Sequence, residues 1–97
     1  MTISRQNLTV IIVTFISEDV IHDCIRSIPE DINIIVVDNS GNNKFKYSLE
    51  KKYKNIECIL TLSNLGMGAG NNLGLKKVKT DYALILNPDV TFDENGI

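Results

Sequence analysis

Residues 8–38 read LTVIIVTFISEDVIHDCIRSIPEDINIIVVD, and this stretch decides the fold class. Its two ends, LTVIIVTF at 8–15 and INIIVVD at 32–38, are short, rich in β-branched residues and apolar without alternation. Such runs are typical of strands that are covered on both faces, as in a parallel sheet. The polar segment between them is long enough for a crossover helix, so the stretch predicts a β-α-β unit.

The crossover helix has a recognisable beginning and end. Ser17 is a suitable N-cap, and Glu18 and Asp19 place negative charge in the first turn, where the helix dipole favours it. Pro29 ends the run. The positions between them that share one apolar face are Ile21, Cys24, Ile25 and Ile28.

The same alternation of strand and helix continues to the end of the chain. IECILTL at 56–62 and YALILN at 82–87 are two more strands, with helices predicted over 44–53 and 68–78. The third strand alternates in polarity, which favours an edge position, whereas the fourth resembles the first two and should be covered on both faces. The strand ends recur at a near-constant spacing, but the loops share no motif that would indicate a solenoid. The sequence therefore predicts an α/β fold, β-α-β-α-β-α-β, with one parallel sheet.

Length and composition limit the functions available. With 97 residues, 43% hydrophobic and 23% charged, we expect residues 1–97 to form one domain. The net charge of −2 argues against binding of nucleic acid by phosphate neutralisation. Cys24 and Cys58 are too few for a disulfide framework and are expected to be small buried residues. His22 is expected to have a structural role, exposed or half-buried. Without an export signal, a cytoplasmic location is expected.

Polar residues collect where the strands end. Thr14 follows the first strand, Asp38 the second, Asn64 the third, and Asn87 with Asp89 the fourth. The carboxyl ends of parallel strands form the ligand-binding edge of an α/β sheet, so these residues are candidates for a site. Loop polarity alone would also place them there.

The glycine-rich stretch NLGMGAGNNLG at 64–74 has two interpretations. It fits neither a Walker loop nor G-x-G-x-x-G, and it follows the third strand, which disfavours a nicotinamide-binding domain. Small residues at a helix start expose backbone N–H groups to a phosphate or a closely approaching ligand. Close packing of the helix on the sheet explains them equally well.

The two aspartates are similarly ambiguous. Asp38 begins an Asn-Ser-Gly turn, where it would cap the turn or accept hydrogen bonds from a ribose or a base. Asp89 follows Asn87-Pro88 and would be a turn carboxylate or, beside an amide oxygen, a hard-oxygen ligand for Mg²⁺ or Mn²⁺ on a diphosphate. A response-regulator receiver would need acids after the first strand, where Thr14 and Phe15 stand instead.

Four stretches in register, VIIVTF, IIVVDNSGNN, NLGMGAGNNLGL and YALILNPDV, resemble the N-terminal half of family 2 glycosyltransferases of the GT-A fold. The NLG…GNNLG and LNPDV versions are most similar to bacterial rhamnosyltransferase-type members. The resemblance implies Rossmann-like nucleotide-binding topology. It also implies inverting transfer of a sugar, rhamnosyl or related, from a dTDP- or UDP-sugar to a saccharide or lipid-linked acceptor in surface polysaccharide synthesis. Such an enzyme is cytoplasmic or peripheral at the inner face of the membrane.

The resemblance also implies roles for individual residues. The D-x-D motif of the family reads Asn87-Pro88-Asp89 here, which leaves Asp89 as the main ligand for Mg²⁺ or Mn²⁺. The wider family often has arginine at the position of Asn71, so one possible phosphate contact is missing. The positions expected to line the nucleotide-sugar pocket are Thr14, Asp38, Asn64, Gly66, Asn71, Asn72 and Asn87.

One departure affects the expected activity. The sequence stops at Ile97, whereas family domains are about twice as long or more, and the catalytic base and acceptor half follow this region in relatives. We therefore expect a truncated donor-binding domain with no catalytic residue of its own and no transfer by this chain alone. The truncated sheet should leave an unpaired apolar edge that invites self-association. The alternative is a non-catalytic nucleotide-binding or interaction module.

Overall fold

The computed structural model describes residues 7–15, 18–61, 66–89 and 91. Strands and helices alternate without interruption, as predicted. They are β1 (Leu8–Thr14), α1 (Glu18–Arg26), β2 (Asn33–Asp38), α2 (Asn43–Lys52), β3 (Ile56–Leu60), α3 (Gly66–Leu75) and β4 (Tyr82–Leu86).

The four strands form one parallel sheet in the order β3-β2-β1-β4. This confirms the α/β fold class. The chain steps outward from β1 to β2 and β3, then crosses to the other side of β1 to form β4. The strand order therefore reverses beside β1, and the crevice at such a reversal is where α/β sheets bind ligands.

Helices cover both faces of the sheet. On one face α1 and α2 bury a large cluster, which accounts for the fully covered Val10, Ile12 and Val36. On the opposite face Val13, Ile35 and Val37 form a smaller cluster against Leu73 of α3. Burial on both sides explains why β1 and β2 read as unbroken apolar runs. Burying each of these aliphatic side chains contributes about 1.5–3 kcal/mol.

Helix α3 lies unusually close to the sheet because two of its residues are glycines. A Cβ atom on Gly70 would lie 2.7 Å from Cγ1 of Val13, and one on Gly74 would lie 2.7 Å from Cγ2 of Ile11. At Gly68, by contrast, a Cβ would have open space around it. The packing interpretation of the glycine-rich stretch is therefore correct for Gly70 and Gly74.

The prediction for the fourth strand was wrong. Strand β4 is an edge of the sheet, and its side chains Ala83, Leu84 and Ile85 are exposed, Ile85 to 43%. Helix α3 packs on β1 and β2 rather than on β4, so the α3 face of β4 is left uncovered by the described residues. Runs of apolar residues thus do not distinguish a covered central strand from an edge strand that offers apolar surface.

The prediction for the third strand is confirmed, and its edge is protected. The N–H of Cys58 in β3 donates to Oε2 of Glu50 at 2.9 Å, and the ammonium of Lys46 donates to the Cys58 carbonyl. Lys46 also forms an ion pair with Glu50 at 3.0 Å. Two α2 side chains therefore satisfy the N–H and the carbonyl of Cys58 at this edge, which discourages pairing with another strand.

The ends of the elements differ slightly from the predictions. Asn42 is the N-cap of α2 and accepts a hydrogen bond from the N–H of Phe45 at 3.1 Å. Strand β3 ends at Leu60, two residues before the predicted end, and α3 begins at Gly66, two residues before its predicted start. Ser17 lies outside the described residues. Among the helices that are described, none has the length and apolar character needed to cross a bilayer.

Candidate functional site

Thr14 and Asp38 stand side by side at the carboxyl edge of the sheet. They occupy the same level in the parallel register of β1 and β2, and the Thr14 hydroxyl donates to Oδ1 of Asp38 at 2.9 Å. Both side chains are 1% exposed. A buried carboxylate is costly unless it is hydrogen-bonded, so this pair holds Asp38 in a fixed orientation.

The turn after β2 supplies the remaining partners of Asp38. Its Oδ2 accepts from the Ser40 hydroxyl at 2.7 Å and from the N–H of Asn42 at 3.3 Å. Gly41 has a φ of 70°, a left-handed conformation that glycine adopts at little cost and that lets the chain fold back over the carboxylate. Asp38 therefore does cap the turn. A carboxylate offers about four acceptor sites, and the described residues use three of them, so one is unused within that part of the chain.

Asn39 and Thr61 extend this buried network, and the sequence reasoning did not select them. Asn39 donates its N–H to the Thr14 carbonyl at 2.8 Å, and its Oδ1 accepts from the Thr61 hydroxyl at 2.9 Å. Both side chains are buried. Their polarity was visible in the sequence, but Asn39 was interpreted as a turn residue and Thr61 as part of a strand.

Helix α3 approaches the same corner. A Cβ on Gly70 would lie 3.5 Å from Nδ2 of Asn39, so the first half of α3 borders the network. The next residue, Asn71, has its Oδ1 buried without a hydrogen-bond partner among the described residues. A buried carbonyl oxygen without a donor is costly, and a donor from a bound ligand would satisfy it. Gly66 begins α3, Asn72 is exposed, and Asn64 lies outside the described residues.

Asn87 and Asp89 follow β4 on the other side of β1. Leu86 pairs with Ile12, so the register carries Asn87 and Asp89 to the same end of the sheet as Thr14. Both side chains are exposed. The Cys24 thiol donates to the Asn87 carbonyl at 3.9 Å. Burial, with a smaller contribution from the Asp89 carboxylate, raises the pKa of Cys24 to about 11.

The oxygen atoms at this end of the sheet suit a hard divalent cation that is coordinated partly by the protein and partly by a phosphate. Among residues 7–15, 18–61, 66–89 and 91, no group of three acidic, histidine or cysteine side chains could enclose a metal. Mg²⁺ commonly binds through one or two carboxylates and completes its shell with waters and substrate phosphates. The exposed carboxylate of Asp89 and the amide oxygen of Asn87 fit that second arrangement.

Of the predicted site residues, the structure joins Thr14 and Asp38 directly. It brings Gly70, the residue before Asn71, to the border of the same network and places Asn87 and Asp89 across β1 from it. Cys24 and Cys58 are free and buried, as predicted, and burial raises the pKa of the Cys58 thiol to about 12. His22 is half-buried against Tyr53, with 2.9 Å between Nδ1 and the phenol oxygen.

Curated relatives act on glycans and teichoic acids. The chain is 28% identical over 95 residues to the low-salt glycan biosynthesis hexosyltransferase Agl10 of Haloferax volcanii, covering 94% of this chain and 30% of that protein. It is 31% identical over 90 residues to a teichoic acid poly(glycerol phosphate) polymerase of Staphylococcus epidermidis, covering 84% and 12%. It is 32% identical over 92 residues to a poly(ribitol-phosphate) beta-glucosyltransferase of Bacillus spizizenii, covering 84% and 14%. The chain thus spans less than a third of each relative.

Solved structures share the fold. S. aureus TarS residues 1–349 superpose with a TM-score of 0.76 at 22% identity, covering 91% of this chain and 29% of TarS 1–349. The complex of the same fragment with UDP gives a TM-score of 0.71 at 22% identity, covering 86% and 27%. The sequence model for glycosyl transferase family 2 matches residues 9–97. The chain therefore belongs to glycosyl transferase family 2.

Proposed function

We propose that this chain forms the donor-binding part of an inverting glycosyltransferase that uses a nucleoside diphosphate sugar. The buried Thr14–Asp38 pair at the carboxyl edge of the sheet carries the proposal. It sets one free carboxylate acceptor site in a rigid, water-poor corner, beside the point where the strand order reverses. A hydrogen-bond donor on a nucleobase or a ribose is the chemistry that such an acceptor selects.

The surrounding residues support the proposal with distinct roles. The Oδ1 of Asn71, which has no hydrogen-bond partner among the described residues, offers a second buried acceptor on α3. Asn87 and Asp89 present exposed oxygens across β1, where the diphosphate of a nucleotide held at Asp38 would extend. UDP bound to TarS, which shares this fold, is consistent with a uridine nucleotide here. A dTDP-sugar is the other donor that we expect.

Mg²⁺ or Mn²⁺ is the proposed cofactor, with Asp89 as its main protein ligand and Asn87 beside it. When bound, such an ion supplies positive charge that stabilises the departing nucleoside diphosphate. Asp89 contributes the negative charge that holds the cation near the phosphates. Thr14 and Asp38 fix the nucleoside, so that the sugar is presented beyond the carboxyl edge of the sheet.

The transfer step itself requires groups beyond those assigned here. Inversion requires that an acceptor hydroxyl attack the anomeric carbon from the side opposite the leaving diphosphate. A base must take the hydroxyl proton. We assign no such base among the described residues, so catalysis by this chain alone is not expected. A non-catalytic nucleotide-binding module is the alternative function, and sugar transfer by a protein containing this segment would distinguish the two.

The relatives suggest a biological setting. Their names connect the family to surface glycans and polyol-phosphate polymers, so we propose that the acceptor is a saccharide or lipid-linked glycan in cell-surface polysaccharide synthesis. The sugar is proposed to be a hexose or a related deoxyhexose. Rhamnose, which the sequence motifs suggested, stays a prediction, as does a location at the inner face of the membrane.

Calorimetry of UDP binding with Mn²⁺ and with a chelator tests the proposal. We expect Mn²⁺ to strengthen binding to the natural chain, and Asp89→Ala to remove that enhancement. Asp81→Ala is the matched control and should keep the enhancement by Mn²⁺. Asp81 is also an exposed aspartate, but it lies just before β4, whereas Asp89 lies after β4. Equal UDP affinity with metal and with chelator in the natural chain would refute the metal assignment.

A further inference from the structure

A second polar cavity lies at the opposite end of the sheet from Asp38. Its volume is about 280 Å³, and it opens at the amino ends of β1, β2 and β3. Seven residues of β1 separate the two ends, a distance of about 20 Å. The polar and charged residues that line it are Thr9, Asn33, Lys54, Asn55, Glu57, Lys77, Lys79 and Thr80.

The charge of this cavity is opposite to that of the chain. Three lysines, Lys54, Lys77 and Lys79, line it together with one acidic residue, Glu57. Two ion pairs are found in the described part of the chain, and they join Arg26 to Asp23 and Lys46 to Glu50. None of the three lysines has its charge neutralised by those pairs. A local excess of two positive charges in a chain of net charge −2 favours the binding of an anion in this cavity.

The three lysines come from two loops that the sheet brings together. Lys54 precedes β3, while Lys77 and Lys79 follow α3. Thr80 fixes the second loop to the sheet, because its hydroxyl donates to the Tyr82 carbonyl at 2.8 Å. Since that bond uses the single hydroxyl proton of Thr80, the Thr9 hydroxyl donates to Thr80 at 2.7 Å. Asn55 fixes the first loop by donating to the Ile32 carbonyl at 2.8 Å. Both loops are therefore anchored by hydrogen bonds, and their three lysines line this cavity.

We propose that this cavity binds a phosphate monoester. A phosphate carries a charge of about −1.5 to −2 at neutral pH and offers three acceptor oxygens, which match the net charge of the cavity and its ammonium donors. The phosphate is carried by a small soluble molecule or by a lipid headgroup. The site is separate from the proposed nucleotide site, and its occupancy does not depend on that proposal.

The test is a titration of the ¹⁵N-labelled chain with glycerol phosphate, followed by NMR at constant ionic strength, with sodium chloride as the comparison. We expect saturable shifts of the amides of Asn33, Asn55 and Lys77. Lys77→Ala/Lys79→Ala should weaken binding about tenfold or more. Lys44→Ala/Lys51→Ala, which removes two exposed α2 lysines, is the matched control and should leave the affinity unchanged.

Glu57→Gln gives an independent readout, because it removes the one negative charge of the cavity. It should strengthen binding about threefold, a change that loss of structure would not produce. Co-sedimentation with vesicles of phosphatidic acid, against vesicles of phosphatidylcholine, identifies a lipid source. Binding to those vesicles that is lost in the Lys77→Ala/Lys79→Ala chain, without a response to glycerol phosphate, assigns the ligand to a headgroup. Two results would overturn the proposal. The first is that glycerol phosphate causes the same shifts as chloride and that the chain does not bind selectively to phosphatidic acid vesicles. The second is that the two double lysine variants bind with equal affinity.

Discussion

At the scale of single residues, Asp38 holds the turn after β2, and we propose that the same carboxylate also binds a nucleoside. It accepts hydrogen bonds from the Thr14 and Ser40 hydroxyls and from the N–H of Asn42, which hold the turn after β2 in place. The same contacts orient its remaining acceptor site. Stability and nucleoside recognition should therefore change together at this position.

Asp38→Ala should lower the free energy of unfolding by about 3 kcal/mol, because three donors lose a charged acceptor and Thr14 is left buried without its partner. Urea denaturation followed by circular dichroism measures this loss. Asp81→Ala, which removes an exposed aspartate bonded to Asn7, should cost less than about 1 kcal/mol. A similar loss in both variants would show that the turn does not depend on Asp38.

The sequence predicted part of this network and missed the rest. Thr14 and Asp38 were identifiable because each ends an apolar strand, and the carboxyl ends of parallel strands meet. Asn39 and Thr61 were not, since their importance comes from a side-chain contact between the ends of β2 and β3. That contact depends on the lateral order of the strands, which periodicity along the chain does not reveal.

At the scale of elements, the position of α3 depends on two small residues. The sequence left open whether its glycines admit a ligand or the sheet, and the distances to Val13 and Ile11 decide for the sheet at Gly70 and Gly74. Close packing at Gly70 brings the first half of α3 to the border of the Asp38 network. The helix thus takes part in the candidate site through its packing.

Gly74→Ala should destabilise the chain by about 1–3 kcal/mol, because its Cβ would overlap the stiff, buried side chain of Ile11. Gly68→Ala is the matched control: its Cβ meets open space, so better helix propensity should stabilise the chain by up to about 1 kcal/mol. Thermal unfolding of both variants measures the difference. Equal effects of the two substitutions would show that α3 does not approach the sheet closely.

The contact between α2 and β3 should make stability depend on pH. The hydrogen bond from the Cys58 N–H, assisted by the Lys46 ammonium, lowers the pKa of Glu50 below its ordinary value. A lowered folded-state pKa means that this stabilisation is complete above about pH 5 and is lost as the pH falls through the lowered pKa.

Glu50→Gln should therefore cost about 1 kcal/mol at pH 7 and less at acidic pH, where the natural chain also loses the interaction. Urea denaturation at pH 7 and at pH 3 measures both differences. Glu30→Gln, which changes an exposed glutamate before β2, is the control and should cost little at either pH. A Glu50→Gln cost that does not shrink on acidification would exclude the proposed linkage.

At the scale of the whole molecule, the α/β class and its parallel sheet followed from the sequence because β1 and β2 are apolar on both faces. The two edges were not equally predictable, because the alternating polarity of β3 indicated an edge strand whereas the apolar run of β4 did not. Glu50 and Lys46 protect β3, whereas Leu84 and Ile85 of β4 remain exposed. Self-association through β4 and the absence of transfer by this chain alone stay predictions.

The central claim is that a nucleoside diphosphate binds at the carboxyl edge of the sheet, beside Thr14 and Asp38. NMR of the ¹⁵N-labelled chain titrated with UDP and Mg²⁺ tests it most directly, because backbone amides report binding at either end of the sheet. We expect saturable shifts of the backbone amides of Thr14, Asp38 and Asn71. Shifts confined to Asn33 and Lys77 at the opposite end would contradict it, and would mean that UDP is recognised there by its phosphates alone.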